Sequence, residues 1–327
     1  MTGDLPPHGG VKVFVLNDSC ALGGRVCAEL GVAQCAHEER EFDDGEHKAR
    51  PLVDVGRCDV YVVQSLYGDP LHSGNDKLCR LLFFIGALSD AGAARVTAVA
   101  PYLAYARKDK RTRDNDPVTT RYVAALFEAV GTAAIMTVDV HNVAAFQNAF
   151  RCQTAHIETQ ALFAAAIAPL VAGRCVTVVA PDAGATYRAH LFRQALSRTL
   201  GATVGAAFAE KHRSAGELSG ELLVGDVNGK DVIIIDDLIA TGSTLVRTAA
   251  ACRRLGANRV IAAATHGLFT GDAATVLGGD VIDQLLVTDT VSPFRLEHGP
   301  ARDRLTILGA APLLAAAIRG AHAGAPN

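Results

Sequence analysis

The sequence predicts an α/β fold in which mostly parallel sheets are flanked by helices. Three observations predict it. Short β-branched runs recur at 11–16, 60–64, 95–99, 135–139, 176–179, 232–235, 260–263 and 284–287. Many of them are apolar on both faces, as strands buried between two helical layers are. Between them lie Ala/Leu-rich helical patterns at 78–91, 120–130 and 245–255, and strand–helix alternation of this kind builds a parallel sheet. At 327 residues the chain exceeds what one core fills, so two domains of about 150 residues each are expected.

Taken in order, the third run (95–99) leads through Pro101 into Arg107, Lys108, Lys110, Arg111 and Arg113, five positive charges in seven positions. Such a cluster is ordinarily a solvated face. Here it falls at the expected carboxyl end of a sheet, where it could neutralise a triphosphate. His141 follows the fourth run, with Asp139 two residues earlier on the same side of an extended strand. A lone histidine is more often structural than ligating, and this spacing improves the case for a ligand. The stretch 94–101 is echoed at 174–181, which suggests two related α/β units with a boundary near 152–158. A strand-like stretch at 203–208 precedes Glu210-Lys211-His212-Arg213-Ser214, and a polar loop is expected over 214–220. The stretch 305–322 reads as an apolar helix able to pack back on either half.

The sharpest signal lies at 232–245. A buried strand ends in two adjacent carboxylates, Asp236 and Asp237. The loop Ala240-Thr241-Gly242-Ser243-Thr244 follows, and then a helix begins. Ligands of open α/β sheets bind at the carboxyl ends of strands. A Gly/Ser/Thr loop at a helix N-terminus presents N–H groups, hydroxyls and the positive dipole end to a phosphate. The two carboxylates can accept hydrogen bonds from a sugar diol or hold a divalent cation, so a ribose phosphate satisfies both ends of the loop. No GxxxxGK[ST] is present, so this is not a P-loop.

Composition narrows the classes. A net charge of −3 excludes an all-over nucleic-acid coat, and half the chain being hydrophobic excludes a disordered one. No nucleic-acid or membrane partner is expected: the longest apolar stretches, 161–172 and 307–318, are too short for a bilayer, which takes roughly 20 residues. The N-terminal MTGDLPPHGG has no signal-peptide pattern. Eight scattered cysteines without a CxxC pair read as reduced thiols of a cytoplasmic protein.

The loop at 240–244 resembles the ribose-phosphate loop of the type I phosphoribosyltransferase fold. Further motifs, in shared order from about Asn17 to His322, resemble the ribose-phosphate diphosphokinase family within that fold. They are Phe42-Asp43-Asp44-Gly45-Glu46, Gln64-Ser65, Asn75-Asp76-Lys77-Leu78, Pro101-Tyr102 through Tyr105-Ala106-Arg107-Lys108-Asp109, Asp139-Val140-His141, Pro181-Asp182-Ala183-Gly184, Gly225-Asp226-Val227, Val287-Thr288-Asp289-Thr290 and Ala311-Pro312-Leu313-Leu314.

The resemblance implies two phosphoribosyltransferase-like domains: an ATP-binding one at 1–157 and a ribose-phosphate-binding one at 158–304, with a C-terminal helix at 305–327. It implies transfer of a diphosphoryl group from Mg-ATP to the 1-hydroxyl of ribose 5-phosphate. ATP would be held by Phe42, Asp44, Gly45, Glu46, Arg107 and Lys108. Magnesium would be organised by His141 and Asp182. Ribose 5-phosphate would be held by Arg213, Asp236, Asp237, Ala240, Thr241, Gly242, Ser243 and Thr244, while Lys211 and Arg213 act on the transferring group. It also implies a homo-oligomer, a dimer or a hexamer, with a site shared between subunits.

The chain departs from the family pattern in five places. Ala240 stands where Asp is frequent, Lys108 where Gln is common, and Ala185 where a second Gly is usual. The stretch 67–74 is longer than typical, and the loop after Lys211 is shorter. Three rival readings are a phosphoribosyltransferase that consumes phosphoribosyl diphosphate, a non-catalytic regulatory subunit, and a nucleotide-sensing regulator of transcription. The last is disfavoured by the charge and by the lack of a helix-turn-helix segment.

Overall fold

The computed structural model describes residues 9–214 and 217–324, with backbone alone at residue 9 and over 210–214 and 217–222. It divides into two compact units. One runs to Ile157 and takes back the chain from Ala310; the other is Glu158–Gly309.

The first unit contains β1 (Gly9–Val15), α1 (Cys20–Leu30), β2 (His37–Glu41), β3 (His47–Pro51), β4 (Cys58–Val63), α2 (Gly74–Asp90), β5 (Arg95–Val99), α3 (Thr119–Ala129), β6 (Ala134–Val138), α4 (Val143–Ala149) and β7 (Gln153–Ile157). Its five-stranded sheet has the order β1-β4-β5-β6-β7 and is wholly parallel. The two-residue period of the strands sorts their side chains. Phe14, Val60 and Val62 meet Phe84, Phe127 and Phe146 from α2, α3 and α4 on one face. Val13, Val15, Tyr61 and Val63 meet α1 on the other. Gly23 permits that second packing, since a Cβ there would stand 2.1 Å from Val15 Cγ1. The antiparallel hairpin β2–β3 forms a sheet of its own.

The second unit contains α5 (Gln160–Val171), β8 (Val176–Ala180), α6 (Thr186–Leu200), β9 (Gly205–Ser214), β10 (Glu217–Val224), β11 (Asp231–Ile239), α7 (Ser243–Arg254), β12 (Arg259–Gly267), α8 (Ala273–Leu277), β13 (Gln284–Thr288), α9 (Pro300–Asp303) and β14 (Leu305–Leu308). The sheet order is β10-β9-β8-β11-β12-β13-β14, parallel except for β9–β10. From β8 the chain winds outward through β9 and β10, then returns to β11 on the other side of β8. The β8/β11 boundary is therefore where strand order reverses, the place at which open α/β sheets bind ligands. Helices α5 and α6 cover Val178, Ile233, Ile235 and Ile261, while α7 and α8 cover Val179, Val232, Ile234 and Val260.

The last helix, α10 (Ala311–His322), returns to the first unit and packs beside α1 through Leu314 and Ile318. The apolar helix expected over 305–322 therefore starts later, because 305–308 add the edge strand β14 beside β13. The loop expected over 214–220 is also corrected: Glu217 begins β10, which pairs back on β9.

A buried carboxylate latches α10. Asp59, fully buried on β4, accepts from Arg95 Nε at 2.7 Å and Nη2 at 2.6 Å, from Tyr61 at 3.0 Å and from His322 Nδ1 at 2.8 Å. Arg95 also donates to the carbonyl of Ala321 at 3.1 Å. Burial pushes the Asp59 carboxyl up, but Arg95 and His322 outweigh it and hold it below its ordinary value. Its contribution to stability is therefore complete above the unfolded value of about 3.9 and is lost as pH falls through the lower folded one. Asp59→Ala is expected to cost about 3–5 kcal/mol in denaturant melts, because Arg95 loses its buried partner.

Candidate active site

The second unit gathers its candidate residues at the β8/β11 reversal. Asp182 lies two residues past the end of β8, and its Oδ1 accepts from the Ala185 N–H at 3.1 Å. Asp236 and Asp237 lie near the end of β11, and Asp236 Oδ1 accepts from the Asp237 N–H at 2.9 Å. Burial, then the negative field of Asp237 with a smaller addition from Asp182, drives the Asp236 carboxyl up to about 8. Asp237 and, more weakly, Asp182 thus repel charge on Asp236, a repulsion that the hydroxyls of a sugar or a substrate-borne cation would relieve.

The phosphate-type loop follows. Gly242 takes φ +81° and N-caps α7 without a side chain. Thr241 Oγ1 and Ser243 Oγ are 3.0 Å apart, and the Val246 N–H donates to the Gly242 carbonyl at 3.0 Å. The N–H of Thr270 holds the Ala240 carbonyl at 3.0 Å, and those of Leu268 and Phe269 hold that of Ile239. The loop is thus pinned from behind while the first turn of a twelve-residue helix faces outward, an anion cradle. Ala240, Thr241 and Thr244 are half-buried and Ser243 is exposed.

Lys211 and Arg213 are placed by backbone only, and their side chains lie outside the described residues. Strand β9 pairs with β8 only as far as Phe208 opposite Ala180. Beyond that point 209–214 run on as a ribbon with β10, where Lys211 opposes Glu221 and Arg213 opposes Leu218. Because β8 and β9 are parallel, this ribbon leaves the sheet at the end that carries Asp182.

In the first unit, Arg107 is exposed and Lys108 half-buried on the segment after β5. The Lys108 ammonium donates to Asp116 Oδ2 at 2.9 Å. The Thr112 hydroxyl, then Lys108, hold the Asp116 carboxyl well below the usual range. Thr120, in the first turn of α3, donates through its hydroxyl to the carbonyls of Tyr105 (2.9 Å) and Lys108 (3.1 Å). The basic run is therefore a fastened loop. Asn142 N-caps α4, and its Nδ2 donates to Asp109 Oδ2 at 2.6 Å, which brings the basic loop beside the exposed His141. Asn142 and Asp116 were not singled out from sequence; an Asn directly before a helical run is a cap signal that could have found the first.

The expectation that Asp139 and His141 share one side of an extended strand is corrected. Strand β6 ends at Val138, Asp139 takes φ +37°, and its buried carboxylate lies 3.8 Å from His156 Nε2. Phe42, Asp44, Gly45 and Glu46 form the exposed tip of β2–β3. There the Phe42 N–H donates to the Glu46 carbonyl at 2.9 Å, the Glu46 N–H donates to Asp44 Oδ1 at 3.1 Å, and Gly45 takes φ +88°.

Among the described residues, no group of three or more His, Cys, Asp or Glu side chains is arranged to hold a metal by itself. No helix among them is long and apolar enough to cross a membrane.

A family model described as the N-terminal domain of ribose phosphate pyrophosphokinase matches residues 11–131, and one described as a phosphoribosyl synthetase-associated domain matches 217–325. The chain is 33% identical over 315 residues to a ribose-phosphate pyrophosphokinase of Caldanaerobacter subterraneus subsp. tengcongensis, covering 96% of this chain and 95% of that one. It is 34% identical over 311 residues to a ribose-phosphate pyrophosphokinase of Vibrio parahaemolyticus, covering 94% and 95%. The crystal structure of phosphoribosylpyrophosphate synthetase from Mycobacterium smegmatis superposes with a TM-score of 0.86 at 34% identity, over 97% of this chain and all of that one. With a third of its residues shared along nearly the whole length of these proteins, the chain belongs to the ribose-phosphate pyrophosphokinase family.

Proposed function

We propose that this chain transfers the diphosphoryl group of ATP to ribose 5-phosphate, giving AMP and phosphoribosyl diphosphate. The oxygen of the 1-hydroxyl attacks the β-phosphorus in line, the bond from that phosphorus to the α–β bridging oxygen breaks, and the hydroxyl gives up one proton. The observation that carries this reading is the pairing of two kinds of equipment in one chain. The second unit has an anion cradle beside paired carboxylates. The first has a fastened basic loop tied to the segment that carries His141. An enzyme that only consumes phosphoribosyl diphosphate needs the first kind and not the second.

In this reading the loop Ala240–Thr244 takes the 5-phosphate on backbone N–H groups and on the hydroxyls of Thr241, Ser243 and Thr244. Asp236 and Asp237 orient the 2- and 3-hydroxyls. Phe42, Asp44, Gly45 and Glu46 take the adenine end of ATP, and Arg107 its phosphates. Lys108 contributes by holding the loop's shape through Asp116 as well as by its charge. Lys211 and Arg213 supply positive charge to the transferring group. The carboxylate oxygens fit a hard cation, and among the described residues too few converge to cage one without substrate phosphates, which is the usual habit of magnesium. His141 and Asp182 are the candidates to organise it, and bound magnesium would neutralise charge on the phosphates.

The division of labour, ATP on 1–157 and ribose phosphate on 158–304, is part of the same proposal. So is a homo-oligomer whose neighbouring subunit lends the exposed hairpin tip. A cytoplasmic location belongs to the same reading, from cysteines scattered without a CxxC pair. The test is AMP release from ATP on addition of ribose 5-phosphate, with magnesium and with a chelator. Release that needs both supports the reading. Consumption of phosphoribosyl diphosphate with a nucleobase, without AMP release from ATP, favours a phosphoribosyltransferase. An inactive chain that alters a partner's rate is a regulatory subunit.

A further inference from the structure

Among the described residues, no strand of either main sheet pairs with the hairpin β2–β3. The base of the hairpin packs on the core, with Ala49 and Val53 against it and His37 beside Phe14 and Phe84, while the tip 42–46 is exposed. Where the tip stands therefore depends on side chains next to it, and several of these meet at Glu41, the last residue of β2 and the neighbour of Phe42. Arg80 on α2 donates through Nη2 to Glu41 Oε1. His72 Nε2 stands 3.0 Å from the same oxygen, and His72 Nδ1 stands 2.8 Å from Asp18 Oδ1, just past β1. A carboxylate oxygen thus stands at each ring nitrogen, and His72 bridges the end of β1 to the root of the hairpin.

The bridge is itself held. Asp69 Oδ1 accepts from the N–H groups of Leu71 and His72, each at 2.9 Å, while the fully buried Lys77 donates to Asp69 Oδ2. Ser73 then caps α2 in a reciprocal box with Asp76. The charged groups facing His72 are thus Asp18, Glu41, Asp69, Asp76 and Arg80, four carboxylates to one cation. Arg80, then His72, hold the Glu41 carboxyl below its ordinary value.

We propose that His72 is a positioning residue for ATP: by bridging Asp18 and Glu41 it fixes the tip 42–46 where the nucleotide is taken. The inference rests on the reading of that tip as ATP-binding. It gives the stretch 67–74, longer here than in the family pattern, a task in nucleotide capture.

The test is steady-state kinetics of the full-length wild type, His72→Ala, His72→Gln, Phe42→Ala and the double variant His72→Ala/Phe42→Ala, with melting temperatures alongside. His72→Ala is expected to raise KM for ATP about tenfold, the scale of one charge-assisted hydrogen bond, with kcat and KM for ribose 5-phosphate within about twofold. His72→Gln, which keeps an N–H donor, recovers part of the loss. In the Phe42→Ala background His72→Ala adds less than about twofold, since both act through one contact. An unchanged KM for ATP overturns the proposal. So does full additivity with Phe42→Ala, or a fall in kcat that tracks the melting temperature. A wild type that forms no AMP overturns the function reading itself, and the positioning role falls with it.

Discussion

Replacing Lys211 with alanine is expected to lower kcat by about a thousandfold while KM for ribose 5-phosphate stays within about threefold. The size is that of removing one donor aimed at charge that develops in the transition state. Strand register places Lys211. Phe208 opposes Ala180 at the end of β8, and Lys211 lies three residues further along, about 10 Å at the rise of a strand. The ribbon that carries it leaves the sheet where Asp182 follows β8. A lysine there can meet a transferring phosphoryl group without touching the loop proposed to hold the 5-phosphate, which follows β11 instead. Steady-state and single-turnover rates check this, and near-normal turnover removes Lys211 from the chemistry.

Gly242→Val is expected to raise KM for ribose 5-phosphate about a hundredfold and to leave KM for ATP nearly unchanged. Gly242 takes φ +81°, and a Cβ there would stand 2.6 Å from Leu277 Cδ2 and 2.7 Å from Cγ. Leu277 is 1% exposed and cannot swing aside. The loop must shift instead, and the first-turn N–H groups of α7 shift with it. The backbone strain costs about 1–3 kcal/mol, so the melting temperature falls too. Gly242→Ala carries the same sign with a smaller effect. Titration of ribose 5-phosphate by calorimetry separates the binding loss from the stability loss, and unchanged affinity would show that the 5-phosphate is held elsewhere.

The sequence exposed the parts of the fold that are buried on both faces. The runs at 95–99 and 284–287 coincide with β5 and β13 to within a residue, because short stretches dominated by Val, Leu, Thr and Ala between helical patterns admit few other readings. Two strands it did not expose are polar, and a third, β14, is an apolar edge strand continuous with a helical pattern. His-Glu-Glu-Arg-Glu of β2 and Gln-Thr-Ala-His-Ile of β7 lie at edges or in the separate hairpin, where half the side chains meet water. The Asp236–Thr244 loop was legible because its chemistry is local: strand end, carboxylates and helix start are contiguous. Asp139 was misread because a positive φ at a non-glycine residue is set by neighbours distant in sequence. The bridge of His72 to Asp18 and Glu41 spans separations of 54 and 31 residues, beyond the reach of any periodicity.

Phosphorus NMR of one reaction mixture tests the central claim most directly. ATP with magnesium and ribose 5-phosphate is predicted to yield AMP and a diphosphate on C1 of the sugar in equal amounts, the α-phosphate staying with AMP and the β and γ moving together. Accumulation of ADP, or ATP left intact in the presence of ribose 5-phosphate, would contradict it.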